Sequence, residues 1–318
     1  MNIIKAGFEI SPRDEERGGL AIIEQAARTC YKTEDRITDG SAEGMVSMLI
    51  ARKHEAMLEH GDYIFQLDDS HVMDYLLGDL MAILFETGQH IRLNVTKEKR
   101  RYIVSGNVRA WRELMASGHG SAYYFAGDID PIYIADLMPE AERVHDPHVT
   151  RIHYAYLQGA HEQRAHIRQT VRFTIDRGIS HEFVRNRGND GMSFAQESSR
   201  FCNYSHERFG REITVIEPCF LIEGTEPYSL WKRQCMSAET AYFTLLNEGL
   251  QPQEARDVLP TSTKTELVMT GTLGDWKHFF ELRALELTGK AHPQAVEVAK
   301  PLMLQMAPRF PMAFSAME

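Results

Sequence analysis

A polar stretch that follows a predicted strand and turn is the feature of this sequence that most constrains its fold. Apolar residues at positions 171, 173 and 175 alternate with polar ones, a pattern that predicts a β-strand. Asp176-Arg177-Gly178 then predicts a turn, and Ser180 is a favourable N-cap for a helix. A strand, a turn and a helix in this order place the residues that follow on rigid elements, as a functional site requires.

The segment from Ser180 to Ser205 is rich in arginine and serine. A guanidinium group offers a fixed fork of donors, which suits a phosphate or the carbonyl edge of a planar ring. We therefore interpret this segment as the core of an active site for a phosphorylated, planar ligand. The side chains on which this interpretation depends are those of Arg185, Arg187, Ser193, Ser198, Ser199, Arg200 and Ser205.

The composition limits the classes of protein that this chain can represent. Its 318 residues are 43% hydrophobic and 25% charged, which allows a sizeable core. A formal net charge of −10 argues against a general nucleic-acid-binding protein, although a locally basic cleft can still bind an anion. Because the sequence shows no apolar run of membrane-spanning length and no signal region, we expect a cytoplasmic protein without a membrane partner.

Hydrophobic periodicity predicts a mixture of helices and strands, with no linker and no internal repeat. We therefore predict an α+β fold that forms one domain over residues 1–318. The predicted strands lie at 1–8, 63–67, 101–105, 171–175 and 212–216. The predicted helices lie at 18–28, from 41 to the segment at 54, at 73–89 and 107–116, from 180 onward, and at 228–247, 252–259 and 275–283. Residues 118–148 are predicted to be irregular, and 149–168 to form one amphipathic segment.

The segment from His54 to His60 contains two histidines and two glutamates, and such a cluster invites a metal-binding interpretation. The His-Glu-x-x-His motif would require a histidine at position 58, which is occupied by Leu58. We therefore predict no metal site.

The segment from Ser180 to Ser205 resembles the signature of the flavin-dependent thymidylate synthases, the ThyX family. That signature consists of Arg-His-Arg, seven variable residues, and a serine followed closely by an arginine. Here the triplet is Arg185-Asn186-Arg187, and ten residues separate Arg187 from Ser198, with an apparent three-residue insertion within Gly188 to Met192. Three more segments resemble the family in the right order: Ala27–Lys32, His54–His60 and Gln253–His292.

The resemblance implies a single domain with a central sheet and flanking helices, assembled as a homotetramer with shared active sites. It implies conversion of dUMP to dTMP, with methylenetetrahydrofolate as the carbon donor and FAD, reduced by NADPH, as the hydride source. Two related reactions remain open, namely methylation of UMP in a nucleoside-antibiotic pathway and hydroxymethylation of a pyrimidine nucleotide. A further alternative is a non-catalytic homologue that binds a nucleotide and has lost the flavin.

The resemblance also assigns roles to individual residues. It implies that Arg283 and Ser198 are catalytic, with Arg283 activating the pyrimidine. The implied nucleotide-binding residues are Glu182, Arg185, Gln196, Glu197, Ser198, Ser199, Arg200, Arg256 and Arg283. The implied flavin-binding residues are His54, Glu59, Arg185, Asn186, Arg187, Gln196, Thr272, Gly274 and His278. The chain departs from the family pattern at Ala56, Asn186, Ala195 and Gly274.

The chemistry of uracil methylation is compatible with these roles. Carbon C5 must attack a one-carbon unit, either after a thiolate adds to the ring or while negative charge on the ring is stabilised. The sequence around Cys30 and Cys202 does not indicate an activated thiol. The second route needs a fixed cation beside the ring, and Arg283 suits it because a guanidinium stays charged.

Overall fold

The computed structural model describes residues 1–14, 17–68, 93–98, 101–118, 120–186, 188, 191–200 and 202–315. The strands are β1 (Asn2–Ile4), β2 (Gly7–Ile10), β3 (Asp62–Asp68), β4 (Leu93–Glu98), β5 (Arg101–Asn107), β6 (Val149–Arg151), β7 (Arg168–Asp176), β8 (Ser193–Gln196), β9 (Thr214–Ile216) and β10 (Lys264–Thr272). The α-helices are α1 (Leu20–Tyr31), α2 (Ser41–Ala51), α3 (Val108–Ala116), α4 (Tyr123–Ala126), α5 (Pro131–Ile134), α6 (Gly159–His166), α7 (Arg177–Phe183), α8 (Glu226–Asn247), α9 (Pro252–Ala255), α10 (Leu273–Arg283), α11 (Pro293–Met306) and α12 (Pro311–Phe314). Short 3₁₀ helices lie at Glu34–Arg36, Glu55–His60, Gly120–Ala122, Glu140–Glu142, Tyr154–Tyr156, Glu207–Phe209, Arg256–Val258 and Ala307–Arg309.

Two four-stranded antiparallel sheets form the centre of the described fold. The first has the strand order β4-β5-β3-β6, and the second has the order β2-β7-β10-β8. A small parallel pair of β1 and β9 forms a separate ladder, and one bridge from Val215 to Thr263 links it to the start of β10. Mixed helices and sheets were predicted from the sequence, and this prediction is confirmed.

The two sheets share a hydrophobic core. Ile64 of β3 and Ile103 of β5 belong to the same buried cluster as Phe173 of β7 and Met269 of β10. Helix α10 adds Trp276 together with Phe279 and Phe280, all three fully buried, to this cluster. Because these aromatic side chains recur at helical spacing on one face, α10 is held firmly against the second sheet.

Several element boundaries differ from the sequence prediction. Helix α7 does not begin at Ser180: its N-cap is Asp176, whose carboxylate accepts a 2.8 Å hydrogen bond from the Ile179 amide. Ser180 lies inside the helix and donates its hydroxyl proton to the Arg177 carbonyl. The predicted amphipathic segment at 149–168 is instead β6, a 3₁₀ turn and α6. The predicted helix at 73–89 lies outside the described residues.

Four strands were not predicted as strands, namely β4, β6, β8 and β10. Once they are included, both sheets show the same arrangement. In each sheet the third of three successive strands lies between the other two and leads directly into a helix, α3 after β5 and α10 after β10. This shared arrangement was not anticipated from the sequence, in which no internal repeat was found. Among the described helices, none is both long and apolar enough to span a lipid bilayer.

We predict that acidification destabilises the fold through two buried histidines. Burial lowers the pKa of both His60 and His166 to about 3. In the unfolded chain a histidine has a pKa of about 6.5, so the unfolded state binds protons first and the free energy of unfolding falls as the pH drops below 6.5. Between pH 7 and pH 5 each histidine should contribute a loss of about 2 kcal/mol.

Urea denaturation at pH 7 and pH 5 measures this difference. The variant His166→Gln removes one of the two groups, so its stability should depend less on pH than that of the parent protein. An equal pH dependence in both proteins would show that His166 is not the group responsible.

Candidate active site

Helices α7 and α10 bring Arg283 and Glu182 together. Arg283 lies in the last turn of α10, and its Nη1 donates a 3.1 Å hydrogen bond to the Glu182 carboxylate. Its Nη2 donates to the Glu182 carbonyl at 3.2 Å, while its Nε is buried without a partner among the described residues. Because Arg283 is only 19% exposed, its guanidinium is a positioned cation with an unused donor.

A second group of predicted nucleotide-binding residues lies after β8. Arg256 donates a 2.8 Å hydrogen bond to the Ser199 hydroxyl, and Arg200 donates at 3.3 Å to Gln253. The Ser198 hydroxyl accepts from the Arg200 amide at 3.4 Å. Arg200 and Arg256 are exposed. Two exposed guanidinium groups beside serine hydroxyls form a surface that can bind a phosphate.

Helix α7 connects these two groups. Gln196 of β8 donates to the Ser180 hydroxyl at 2.8 Å, and Ser180 lies two residues before Glu182 in the chain. Arg177, at the start of the same helix, donates to the Glu197 carbonyl at 3.3 Å. Arg185 is exposed just beyond the end of the helix. The predicted nucleotide-binding residues are thus arranged around one helix.

Glu197 occupies a buried ionic cluster. Its carboxylate accepts from Lys264 at 2.8 Å, and Lys264 also pairs with Glu266 at 2.7 Å. Lys32 completes the cluster through a 2.9 Å pair with Glu266. Although burial raises the pKa of Glu266, Lys264 and Lys32 lower it to about 2. The Glu197 carboxylate therefore holds the signature strand to its neighbours, and its predicted contact with the nucleotide stays a prediction.

The sequence prediction missed the partners in this cluster. Lys264 and Glu266 lie two residues apart on β10, so both point to the same side of the sheet. That spacing would have indicated the cluster if β10 had been recognised. The backbone adds a further link, because the Ser198 amide donates to the Cys30 carbonyl at 3.2 Å and so joins the last turn of α1 to the signature.

An open cavity of about 710 Å³ lies over the segment at 54–57. The hydroxyl of Tyr31 is 2.7 Å from His54 Nδ1 at its edge. The lining combines apolar with charged side chains: Tyr31, Ile50, Lys53, His54, Glu55, Ala56, Met57, Arg109, Arg112, Asp136 and Leu137. Its volume is in the range of small-ligand sites, and its apolar side chains suit a flat ring. Arg109 and Arg112 add positive charge, although both are paired with carboxylates. The residues therefore fit part of a flavin nucleotide.

The other predicted flavin-binding residues have structural partners. Glu59 pairs with Arg109 at 2.8 Å, and buried Asn186 donates its amide to the carbonyls of Glu182 and Phe183 at the end of α7. Thr272 caps α10 by accepting from the Asp275 amide at 3.1 Å. Their roles toward a cofactor stay predictions.

Gly274 lies in the first turn of α10. His278 lies further along the same helix, and its side chain is 48% exposed. A β-carbon on Gly274 would lie 3.2 Å from the Arg164 carbonyl oxygen, so α6 and α10 approach closely at this point. Arg187 lies outside the described residues. No group of three metal-binding side chains was found in the part of the chain that the structure describes.

The cysteines are poorly suited to nucleophilic attack. Burial raises the pKa of Cys30, and burial together with Glu197 raises that of Cys202. The Cys202 thiol donates to the Glu197 carboxylate at 3.5 Å. Since only a thiolate is strongly nucleophilic, neither residue is activated.

Parts of this chain are similar to known proteins. Residues 132–312 match the model of a family described as thymidylate synthase complementing protein. A flavin-dependent thymidylate synthase of Pyrococcus furiosus is 32% identical over 143 residues, which are 44% of this chain and 55% of that protein. The matched part therefore spans about half of that relative. A flavin-dependent thymidylate synthase of Synechocystis is 24% identical over 202 residues, or 60% of this chain and 93% of that protein.

A solved structure was also found, that of the UMP/dUMP methylase PolB from Streptomyces cacaoi bound with 5-Br dUMP. It covers 99% of this chain and 97% of its own, with 17% sequence identity and a TM-score of 0.42. The family model covers more than half of the chain and includes the signature, Arg256 and Arg283. The chain therefore belongs to the thymidylate synthase complementing protein family, that of the flavin-dependent thymidylate synthases.

Proposed function

We propose that this protein methylates C5 of a uracil nucleotide, converting dUMP to dTMP with methylenetetrahydrofolate as the carbon donor. FAD, reduced by NADPH, would supply the hydride. The observation that carries the proposal is the position of Arg283, a half-satisfied guanidinium fixed by Glu182 at the end of α10. The family of the chain supports the same reaction.

In this mechanism Arg283 stabilises the negative charge that develops on the pyrimidine ring. A guanidinium held in place before the reaction needs no reorganisation when the charge appears, so its effect is largest in the transition state. Glu182 holds Arg283 through two hydrogen bonds, one to its carboxylate and one to its carbonyl. Ring activation by a thiolate does not suit Cys30 or Cys202, because the pKa of each is raised.

The remaining residues bind and orient the reactants. Arg200 and Arg256, with Ser198 and Ser199, would bind the nucleotide phosphate. The cavity beside His54 would hold part of the flavin, with its apolar side chains against the ring system. By resemblance, the active sites would be shared between the subunits of a homotetramer.

We predict that Arg283→Ala lowers turnover by about a hundredfold or more, the scale for loss of one preorganised electrostatic donor. Flavin content should persist, because Arg283 does not line the cavity beside His54. The measurement is kcat at saturating nucleotide together with the flavin absorbance of the purified protein. Arg309→Ala, which removes an exposed arginine distant in sequence from the signature, is the matched control. Near-normal turnover of Arg283→Ala would assign ring activation to another group.

We also predict that the extra residues between Gly188 and Met192 influence the choice of sugar. Gly188 has a φ of 59°, and a β-carbon there would clash with the Asp275 carboxylate, so Gly188 lies close against the first turn of α10. Deletion of three residues from the loop should therefore change the ratio of kcat/KM for dUMP and UMP, offered side by side. A protein that stays folded and yellow with an unchanged ratio would contradict this role. A colourless protein that takes up no FAD would instead favour a non-catalytic nucleotide-binding homologue.

A further inference from the structure

The two sheets repeat one unit of structure. The first unit, within residues 54–118, contains β3, β4, β5 and α3, and the second, within 159–283, contains β7, β8, β10 and α10. In both units the strand order is the same, with β5 between β4 and β3 and β10 between β8 and β7, and all neighbours are antiparallel. An edge strand completes each sheet, β6 in the first and β2 in the second.

Residues at equivalent positions of the two units have the same structural roles. Asn107 caps α3 by accepting from the Ala110 amide at 2.9 Å, as Thr272 caps α10. The preceding residues are Ile103-Val104-Ser105-Gly106 in the first unit and Val268-Met269-Thr270-Gly271 in the second. Trp111 and Trp276 then occupy equivalent positions, and each is fully buried with its indole N–H bonded to a backbone carbonyl.

The pairing register follows the same correspondence. Ser105 of β5 pairs with Asn94 of β4, and its equivalent Thr270 pairs with Ser193 of β8. Two pairs further along, Ile103 faces Thr96 and Val268 faces Ala195. This agreement extends from the sheet order to single residue pairs.

The units pack through reciprocal hydrogen bonds. His60, just before β3, has its Nδ1 2.8 Å from the hydroxyl of Thr270 in the second unit. His166, just before β7, has its Nδ1 2.7 Å from the hydroxyl of Ser105 in the first unit. Since Ser105 and Thr270 are equivalent, each unit presents a histidine to the same position of the other. Two subunits related by a two-fold axis show this pattern of contacts.

One hydrogen bond between the two units has no symmetric counterpart. His166 Nε2 lies 2.8 Å from the Thr96 hydroxyl. The residue equivalent to Thr96 in the second unit is Ala195, which has no hydroxyl. Accordingly His60 Nε2 is buried without a hydrogen-bond partner among the described residues.

The second unit differs from the first by the residues predicted to bind the nucleotide. Strand β4 ends at Glu98 and β5 begins at Arg101, whereas the connection from β8 to β10 spans residues 197–263 and carries Ser199, Arg200 and Arg256. Counting from the N-caps of α3 and α10, Gly118 takes the place of Arg283. The first unit carries much of the lining of the cavity beside His54.

We infer that the chain is a fused pair of equivalent units, joined by these reciprocal hydrogen bonds, and that only the second unit keeps a nucleotide site. One chain then binds one nucleotide. The assignment of the nucleotide site rests on the proposed function, whereas the equivalence of the two units does not.

Titration of the flavin-loaded full chain with dUMP, and separately with UMP, counts the sites. The expected result is one nucleotide per chain, and Arg256→Gln should weaken binding by about tenfold or more. Lys300→Gln, a change at an exposed lysine, is the control and should bind as the parent does. Two nucleotides per chain, or a site indifferent to Arg256→Gln, would overturn the assignment. Absence of binding would overturn it together with the proposed function.

The equivalence of the units is tested independently at Ala195. Ala195→Thr should give His60 Nε2 the partner that Thr96 gives His166, and should raise the midpoint of thermal unfolding by about 2 °C. Ala195→Ser tests the same bond with less added volume, in case threonine does not fit. Ala195→Val adds the volume without a hydroxyl and should not stabilise. If neither hydroxyl variant is more stable than the valine variant, the two units are not equivalent at this interface.

Discussion

The antiparallel ladder of β10 fixes both ends of the candidate site. It pairs with β7 along its whole length and with β8 along its middle. Lys264 at its first position contacts Glu197, and Thr272 at its last position caps the helix that ends at Arg283. Because hydrogen bonds on both sides fix this strand, the two ends of the site stand at a constant separation. A shift of register by one residue would turn Lys264 to the other face.

The buried charges near the signature act on the site through its backbone. An isolated carboxylate with the burial of Glu197 would be costly, and Lys264 offsets that cost by a direct 2.8 Å pair. Lys32 and Glu266 extend the cluster to the loop after α1. This cluster joins three segments that are distant in sequence. The exposed Arg200 and Arg256 are left to attract an anion, despite the negative charge of the whole chain.

The sequence predicted well those elements that have one apolar and one polar face. Strand β7 and helix α8 were predicted because apolar residues recur on one side of each. Strand β10 was missed, since its residues from Leu267 to Thr272 are all buried and show no alternation. Strand β8 has only four residues, and the cap at Asp176 competed with the equally favourable Ser180. The repeat was missed because the two units share a register and few identical residues.

In the site, resemblance to a family identified residues that periodicity could not. Arg256 and Ser199 are 57 positions apart and in direct contact, and Arg283 and Glu182 are 101 apart. Such pairs depend on tertiary structure, so no local pattern indicates them. The ionic partners Lys264 and Lys32 escaped for the same reason, although a single-face spacing on β10 was available for Lys264 and Glu266. Tyr31 beside His54 likewise appears only in the folded chain.

The long connection between β8 and β10 explains how a nucleotide site can be added to a repeated scaffold. In the first unit, two residues separate β4 from β5, which shows that the ladder itself needs only a short connection. Extending such a loop to the length of residues 197–263 costs about 3 kcal/mol of closure entropy if the loop is flexible.

The segment offsets that cost with a core of its own. Cys202, Val215, Cys235, Tyr242 and Ala255 pack into a separate buried cluster. Because α8 and α9 contribute to this cluster, the neighbouring Arg256 and Ser199 lie on an ordered surface. The ladder between β8 and β10 keeps the register of its counterpart in the first unit. A site placed in this connection can therefore change in sequence and length while the scaffold that carries Arg283 stays the same.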